Sequence, residues 1–207
     1  MTSELILLIL LTLLNILLFS FLIKIFIKIK IIDTPDFFRK IHTSNIPLVG
    51  GTFFIINFFL YFIFEIFIID NTPYFEGYRE ILSFLICSFL IYLVGLYDDK
   101  YFLRPNIKLV LVSIIVTICI SISNTFQLDF ISFLFTEKII FLDNFGIIFT
   151  IFCFLVFLNA FNMIDGINGL STTYFLICLT YLTLLNYNFY FFLFFLVPSI
   201  CFLYFNF

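Results

Sequence analysis

The chain reads as an all-α integral membrane protein, a polytopic bundle of about seven transmembrane helices with its N-terminus outside. Three observations predict this. Of its 207 residues, 64% are hydrophobic and 11% charged, with a mean hydropathy of +1.24. Soluble domains average roughly 45–50% apolar and about 25% charged residues. Seven apolar runs come near the about 20 residues that a helix needs to cross about 30 Å of hydrocarbon. Finally, eight of the ten Lys and Arg residues fall on one side of the resulting topology.

The first run, approximately 4–30, lacks a preceding basic region and is too long for a cleaved signal peptide, so it stays as the first span. The others cover about 48–69, 80–97, 106–123, 145–161, 170–187 and 188–206. Only Asn186-Tyr187-Asn188 separates the last two, which predicts a tight helical hairpin or a re-entrant pair. Between them and the fourth run, Phe126-Gln127-Leu128-Asp129-Phe130 and Lys138-Ile139-Ile140-Phe141 alternate in part, predicting a short β-hairpin against the membrane. Residues 1–207 show no repeat and no linker, so they form one transmembrane domain. All five cysteines, Cys87, Cys119, Cys153, Cys178 and Cys201, lie inside apolar runs without CxxC or Cys/His spacing. They read as small hydrophobes, not as zinc ligands or a disulfide frame.

Orientation follows from charge. Lys24, Lys28, Lys30, Arg39 and Lys40 cluster at the first polar loop and the span end that leads into it, and Lys100, Arg104 and Lys108 cluster at the loop after the third span. Only Arg79 and Lys138 fall on the other side, among six carboxylates. Cytoplasmic loops carry the excess of Lys and Arg, so loops 31–47, 98–105 and 159–169 are expected in the cytoplasm.

Those three loops are the polar islands of the chain. Charge beside hydrocarbon is costly, and ionisable groups there mark function by default. The first island runs from Asp33-Thr34-Pro35, which ends the first helix because proline restricts the residue before it. Arg39, Lys40 and His42 follow, and Pro47 to Gly50-Gly51 restarts a helix. The second is Gly95-Leu96-Tyr97-Asp98-Asp99. Carboxylates at a helix C-terminus are disfavoured by about 0.3–1 kcal/mol each, and a bound Mg²⁺, commonly held by one or two carboxylates plus substrate phosphates, reverses that sign. Read alone, the pair is equally a solvated loop start balanced by Lys100 and Arg104. The third island is Asn159 to Leu170. There Asn162 and Asp165 share a helical face, Gly166 and Gly169 permit close backbone approach, and the next helix begins near Leu170-Ser171 with amides able to meet a phosphate. An ordinary polar connector fits the same residues. Glu65 lies inside the second run, five residues from Asp70, and is expected to snorkel to the outer surface.

In this order, DTPDFFRKIHTSNIPLVGG, GLYDDKYFLRPNIK and NAFNMIDGINGL resemble the polyprenyl-phosphate N-acetylhexosamine-1-phosphate transferases. That family includes the undecaprenyl-phosphate GlcNAc-1-phosphate transferases and, more distantly, the phospho-MurNAc-pentapeptide translocase. The resemblance runs from about residue 30 to the C-terminus. It implies transfer of a sugar 1-phosphate from a UDP-N-acetylhexosamine to polyprenyl (undecaprenyl) phosphate, releasing UMP, with Mg²⁺ as cofactor. It further implies a multi-pass protein of the bacterial inner membrane, with the active site on the cytoplasmic face and a role in envelope polysaccharide synthesis such as O-antigen. By resemblance, Asp98 and Asp99 serve lipid-phosphate activation and metal or phosphate binding. Asn162 and Asp165 resemble nucleotide or metal contacts, and Arg39, Lys40, His42 and Lys108 are substrate-side cations. The partners implied are the two substrates and the bilayer, with no nucleic acid. The islands fix neither the donor sugar nor the oligomeric state, and a homo-oligomer is compatible with them.

Two departures from the family pattern stand out. Asn168 replaces the second Asp of the usual DGxDG, which keeps a hydrogen-bonding group but removes a charge. Leu203 to Phe207 resembles a stretch preceding a Gly-Asp motif and a His-containing loop, which implies a chain incomplete at its C-terminus. A non-catalytic remnant or partner subunit is the alternative reading. A multi-pass transporter is a weaker one, because the polar groups sit at borders and no inverted repeat is visible.

Overall fold

The computed structural model of the chain describes residues 2–33, 46–66, 75, 77–133, 138–164, 169–186 and 189–206. Among the described residues, seven α-helices occupy the seven apolar runs: α1 Thr2–Ile29, α2 Gly50–Phe64, α3 Tyr78–Tyr101, α4 Pro105–Ile122, α5 Gly146–Ile164, α6 Leu170–Asn186 and α7 Phe189–Asn206. Two antiparallel strand pairs join them. β1 (Ile32–Asp33) pairs with β2 (Ile46–Pro47), and β3 (Phe130–Ser132) pairs with β4 (Ile139–Phe141). Among the described residues, Ile6–Ile29, Tyr78–Tyr101, Pro105–Ile122 and Asp143–Met163 are long and apolar enough to cross a membrane. The apolar helices Gly50–Phe64, Leu170–Leu182 and Phe192–Phe205 are shorter. The all-α membrane bundle is therefore as expected.

The chain divides into two compact units. The first comprises residues 1–71, 99–101 and 164–207, and α7 is its centre, packing on α1, α2 and α6. Aromatic side chains make that junction. Phe19 of α1 meets the edge of Phe53 of α2 at 5.0 Å between ring centroids and stacks on Phe205 of α7 at 4.6 Å. Phe54 meets Phe202 at 5.5 Å. Such ring pairs add about 0.5–1.5 kcal/mol each beyond burial. A Cβ on Gly50 would come within 2.9 Å of the Phe202 ring, so the glycine that opens α2 lets α7 approach. The expected hairpin of the last two helices is present as the α6–α7 contact.

Pro198 interrupts the hydrogen-bond ladder of α7, and the buried Ser199 hydroxyl donates to the Phe195 carbonyl at 2.6 Å. A serine hydroxyl bonded to the carbonyl one turn back is satisfied inside its own helix where no water is at hand. Asn15 and Asn57, both buried, likewise donate Nδ2 to the carbonyl one turn back at 2.9 Å.

Glu65 overturns its expectation. It does not reach the surface but is 1% exposed, and its Oε1 accepts the Tyr61 hydroxyl at 2.7 Å. Tyr61 and Glu65, both buried, are four residues apart, so the local phenol meets one carboxylate oxygen in place of water. Glu65 and Ile66 close the end of α2 in a wider π turn.

The second unit comprises residues 72–98 and 102–163. Here α3 and α4 run antiparallel, as two inter-helix hydrogen bonds show. Ser83 Oγ donates to the Cys119 carbonyl at 3.1 Å, and Cys87 Sγ to the Ile115 carbonyl at 3.8 Å. All five cysteines are free, as their apolar settings predict. Val112, Val116 and Ile120 form the core, covered by Val94, Phe126, Ile151, Phe154, Leu155 and Leu158.

A β-hairpin follows α4 as expected, but its first strand is Phe130–Ser132, not Phe126 to Phe130, because Asn124–Phe126 forms a 3₁₀ turn. Phe130 stands opposite Phe141 and Ser132 opposite Ile139. Its base is fixed to α5, because the Leu128 amide donates to Thr150 Oγ1 at 2.9 Å. A Cβ on Gly146 would stand 2.7 Å from the Leu128 carbonyl and 2.6 Å from Gln127 Nε2. Backbone cannot yield as a side chain does, so Gly146→Ala is expected to destabilise the protein by about 1–3 kcal/mol. A lowered midpoint of thermal unfolding in detergent checks this; an unchanged midpoint contradicts the packing of this junction.

Candidate functional site

The second island is the one that the structure describes throughout. Asp98 lies in the last turn of α3, and Lys108 in the first turns of α4. Each is mis-signed for its own helix, an acid at a negative C-terminus and a base at a positive N-terminus. The structure resolves both at once, because Lys108 Nζ binds Asp98 Oδ2 at 2.8 Å. Asp98 Oδ1 accepts the Leu103 amide at 3.0 Å, and the Asp98 carbonyl accepts the Phe102 amide at 2.8 Å. Asp98 thus closes the turn between two helices with three acceptors. The pair is 23–24% exposed at its side chains, so solvent reaches it without dissolving it.

The balance expected from Lys100 and Arg104 falls instead to Lys108 for Asp98. Lys100 lies over the Tyr101 ring, 5.4 Å from its centroid, and Arg104 is the residue before Pro105 at the start of α4. The reason is geometric. Pro105 starts α4 at once after a three-residue turn, and four residues of helix then bring Lys108 back over the end of α3.

Two further features of this turn are not legible in the motif. Phe102 adopts a left-handed conformation, φ 53° and ψ 71°, and is 80% exposed. For a bulky residue that conformation costs about 1–2 kcal/mol, and glycine is the usual occupant. Strain of this kind is held where the surroundings over-determine it, and here the two Asp98 acceptors do so. Asp99, the next residue, is exposed on the final turn of α3.

The other islands are described at their borders. Residues 34–45, which include Arg39, Lys40 and His42, lie outside the described residues. The ends of that segment are joined, Ile32 pairing with Pro47 and Asp33 with Ile46, and the Leu48 amide donates to the Ile31 carbonyl at 3.2 Å. Helix α2 restarts at Gly50, as Gly50-Gly51 predicts. In the third island Asn162 is exposed on the last turn of α5, while Asp165 and Asn168 lie outside the described residues. Gly169 opens α6 with φ 74°, a left-handed angle that only glycine adopts freely. Its carbonyl accepts both the amide and the hydroxyl of Thr173, at 2.9 and 2.7 Å.

Within the second unit these ends are related. The Leu128–Thr150 bond puts the start of α5 beside the end of α4, and the shared core carries α5 back along α4. Asn162 is therefore at the same end of that unit as Asp98 and Lys108. Among the described residues, no three His, Cys, Asp or Glu side chains gather as a ready-made metal cage. The donor set at hand is a carboxylate exposed beside a fixed cation, which is the kind that shares a cation with phosphate oxygens.

Residues 81–207 match the model of glycosyl transferase family 4. Over 129 residues, 62% of this chain, the sequence is 34% identical to the undecaprenyl-phosphate alpha-N-acetylglucosaminyl 1-phosphate transferase of Salmonella typhi. It is equally similar to the protein of the same name from Salmonella typhimurium. The alignment covers 32% of each, so the chain spans about a third of the length of the curated relatives it matches. No solved structure matches it significantly. The family match contains Asp98, Asp99, Lys108, Asn162, Asp165 and Asn168, whereas Arg39, Lys40 and His42 precede it. With well over half of its length inside that match, the chain belongs to glycosyl transferase family 4.

Proposed function

We propose that this protein transfers a sugar 1-phosphate from a UDP-N-acetylhexosamine to polyprenyl phosphate at the cytoplasmic face of the bacterial inner membrane. A phosphate oxygen of the lipid attacks the β-phosphorus of the nucleotide sugar. The bond from that phosphorus to the bridging oxygen breaks, and UMP leaves with the bridging electrons. The observation that carries this reading is the Asp98–Lys108 pair closing the α3–α4 turn, with Asp99 exposed beside it, inside the family-matched segment.

In this reading the labour is divided. Asp98, both of whose oxygens are engaged, holds the turn and aims Lys108. The ammonium of Lys108 has three donors and spends one on Asp98, so the remaining two serve a phosphate. Asp99, with Asp165 from the third island, holds Mg²⁺, which when bound neutralises charge on the phosphates. Asn162 and Asn168 contact the nucleotide, and Arg39, Lys40 and His42 contact phosphate oxygens. Phosphoryl transfer needs little covalent help from a protein; positioning and charge neutralisation supply most of the rate.

The test uses membranes containing the full chain, radiolabelled UDP-GlcNAc, undecaprenyl phosphate and Mg²⁺. Labelled lipid that disappears on chelation and returns with added Mg²⁺ is the expected result. Absence of labelled lipid with GlcNAc and with other N-acetylhexosamine donors would overturn the proposal.

A further inference from the structure

The β3–β4 hairpin carries its side chains the wrong way round for water. Strand alternation puts Phe130, Ser132, Ile139 and Phe141 on one face. Phe130 is 53% exposed, Ile139 55% and Phe141 69%, and the Phe130 and Phe141 rings lie 6.4 Å apart. On the opposite face Ile140 is 51% exposed and Ile131 is half-buried, so the aromatic rings mark the first face. The helices that flank the hairpin also expose apolar side chains, Phe145, Ile148 and Phe152 on the α5 side and Ile118 on α4. Those helices are among the ones long and apolar enough to span a membrane, so the hairpin sits where hydrocarbon gives way to headgroups. Lys138, exposed at the start of the second strand, adds a cation at that level.

We infer that this hairpin is an interfacial anchor, with its Phe130–Ile139–Phe141 face bedded in the leaflet at the end of the second unit away from Asp98. Two constraints fix the depth. Among the described residues the hairpin has two strands and no further strand on either edge, and hydrocarbon does not tolerate unpaired backbone, so the strands lie flat at the headgroup–acyl boundary. Aromatic rings are the side chains that settle there. The attachment is built to hold that pose. Leu142 N–H donates to the Asp129 carbonyl at 2.8 Å, Leu128 N–H donates to Thr150, and Gly146 packs against the same strand entry. An isolated two-stranded hairpin is marginal in water, and the lipid supplies the third side.

The chain contains no Trp, so one introduced indole is the sole reporter. Phe141→Trp and, on the opposite face, Ile140→Trp are each reconstituted as the full chain in phosphatidylethanolamine–phosphatidylglycerol vesicles. Trp at position 141 is expected to emit to the blue, to be quenched by lipids brominated near the top of the acyl chain, and to resist acrylamide. Position 140 is expected to show clearly weaker bromolipid quenching. Acrylamide quenching at 141 without bromolipid quenching would place the face in water. Blue emission at 141 with neither quencher effective would mean that protein covers it, and equal bromolipid quenching at both positions would mean the hairpin is not flat. Each of those results overturns the inference. Both exchanges are at exposed positions and spare the core, and helical content by circular dichroism verifies that both variants are folded.

Discussion

Asp99→Asn is expected to lower formation of the labelled lipid product by at least about 10²-fold, while the protein remains folded and in the membrane. The side chain is exposed on the last turn of α3, and Asn keeps its size and an accepting oxygen, so the exchange should stay near the about ±0.5 kcal/mol usual for surface changes. Its chemical cost is far larger. Removing one preorganised charge-stabilising group from a reaction of this type typically costs about 10²–10³ in turnover. The measurement is product formed per mole of purified variant over a range of Mg²⁺ concentrations. Turnover equal to that of the unaltered chain would reject Asp99 as the working carboxylate.

The second large effect concerns the pair that holds the turn. Lys108→Met leaves Asp98 in the last turn of α3 without its cation and should cost about 1–3 kcal/mol of stability. That lies between an exposed ion pair and a buried one, as its partial exposure requires. Turnover should fall by about tenfold or more, because the ammonium donors offered to a phosphate go with it. The exchanged variant Asp98→Lys/Lys108→Asp separates the two roles. It restores opposite charges and gives each helix end the sign that its dipole favours, but a lysine at position 98 cannot accept the Leu103 amide, so the unfolding midpoint should recover in part while turnover stays low. Recovery of both would make the pair purely structural.

The helices were legible because lipid solvation demands unbroken apolar runs, and Asn186-Tyr187-Asn188 or Pro105 punctuate them plainly. The β3–β4 hairpin was legible from the alternation around Phe130 and Phe141. Which helix faces which was not. A soluble helix advertises its buried side by an apolar stripe, but α1 and α7 are apolar all round, so nothing in the pattern marks α7 as the common partner of α1, α2 and α6. Glu65 misled for a related reason. Distance from Asp70 along the chain favours the surface, whereas the Tyr61 hydroxyl one turn earlier meets one carboxylate oxygen inside. At the site, residue types were legible as donors and acceptors, but the choice of Lys108 over Lys100 or Arg104 depended on a left-handed Phe102 that no turn rule assigns to phenylalanine.

That common partner has a bearing on how the molecule is made. Ribosomes deliver α1 and α2 to the bilayer long before α7, so Phe19, Phe53 and Gly50 must wait among lipid tails for the rings that will later cover them. Contacts so distant in sequence form slowly, and half-assembled intermediates are open to capture by other chains. Early helices of this protein are therefore natural clients for insertion chaperones, and their release should keep time with the emergence of residues 189–206.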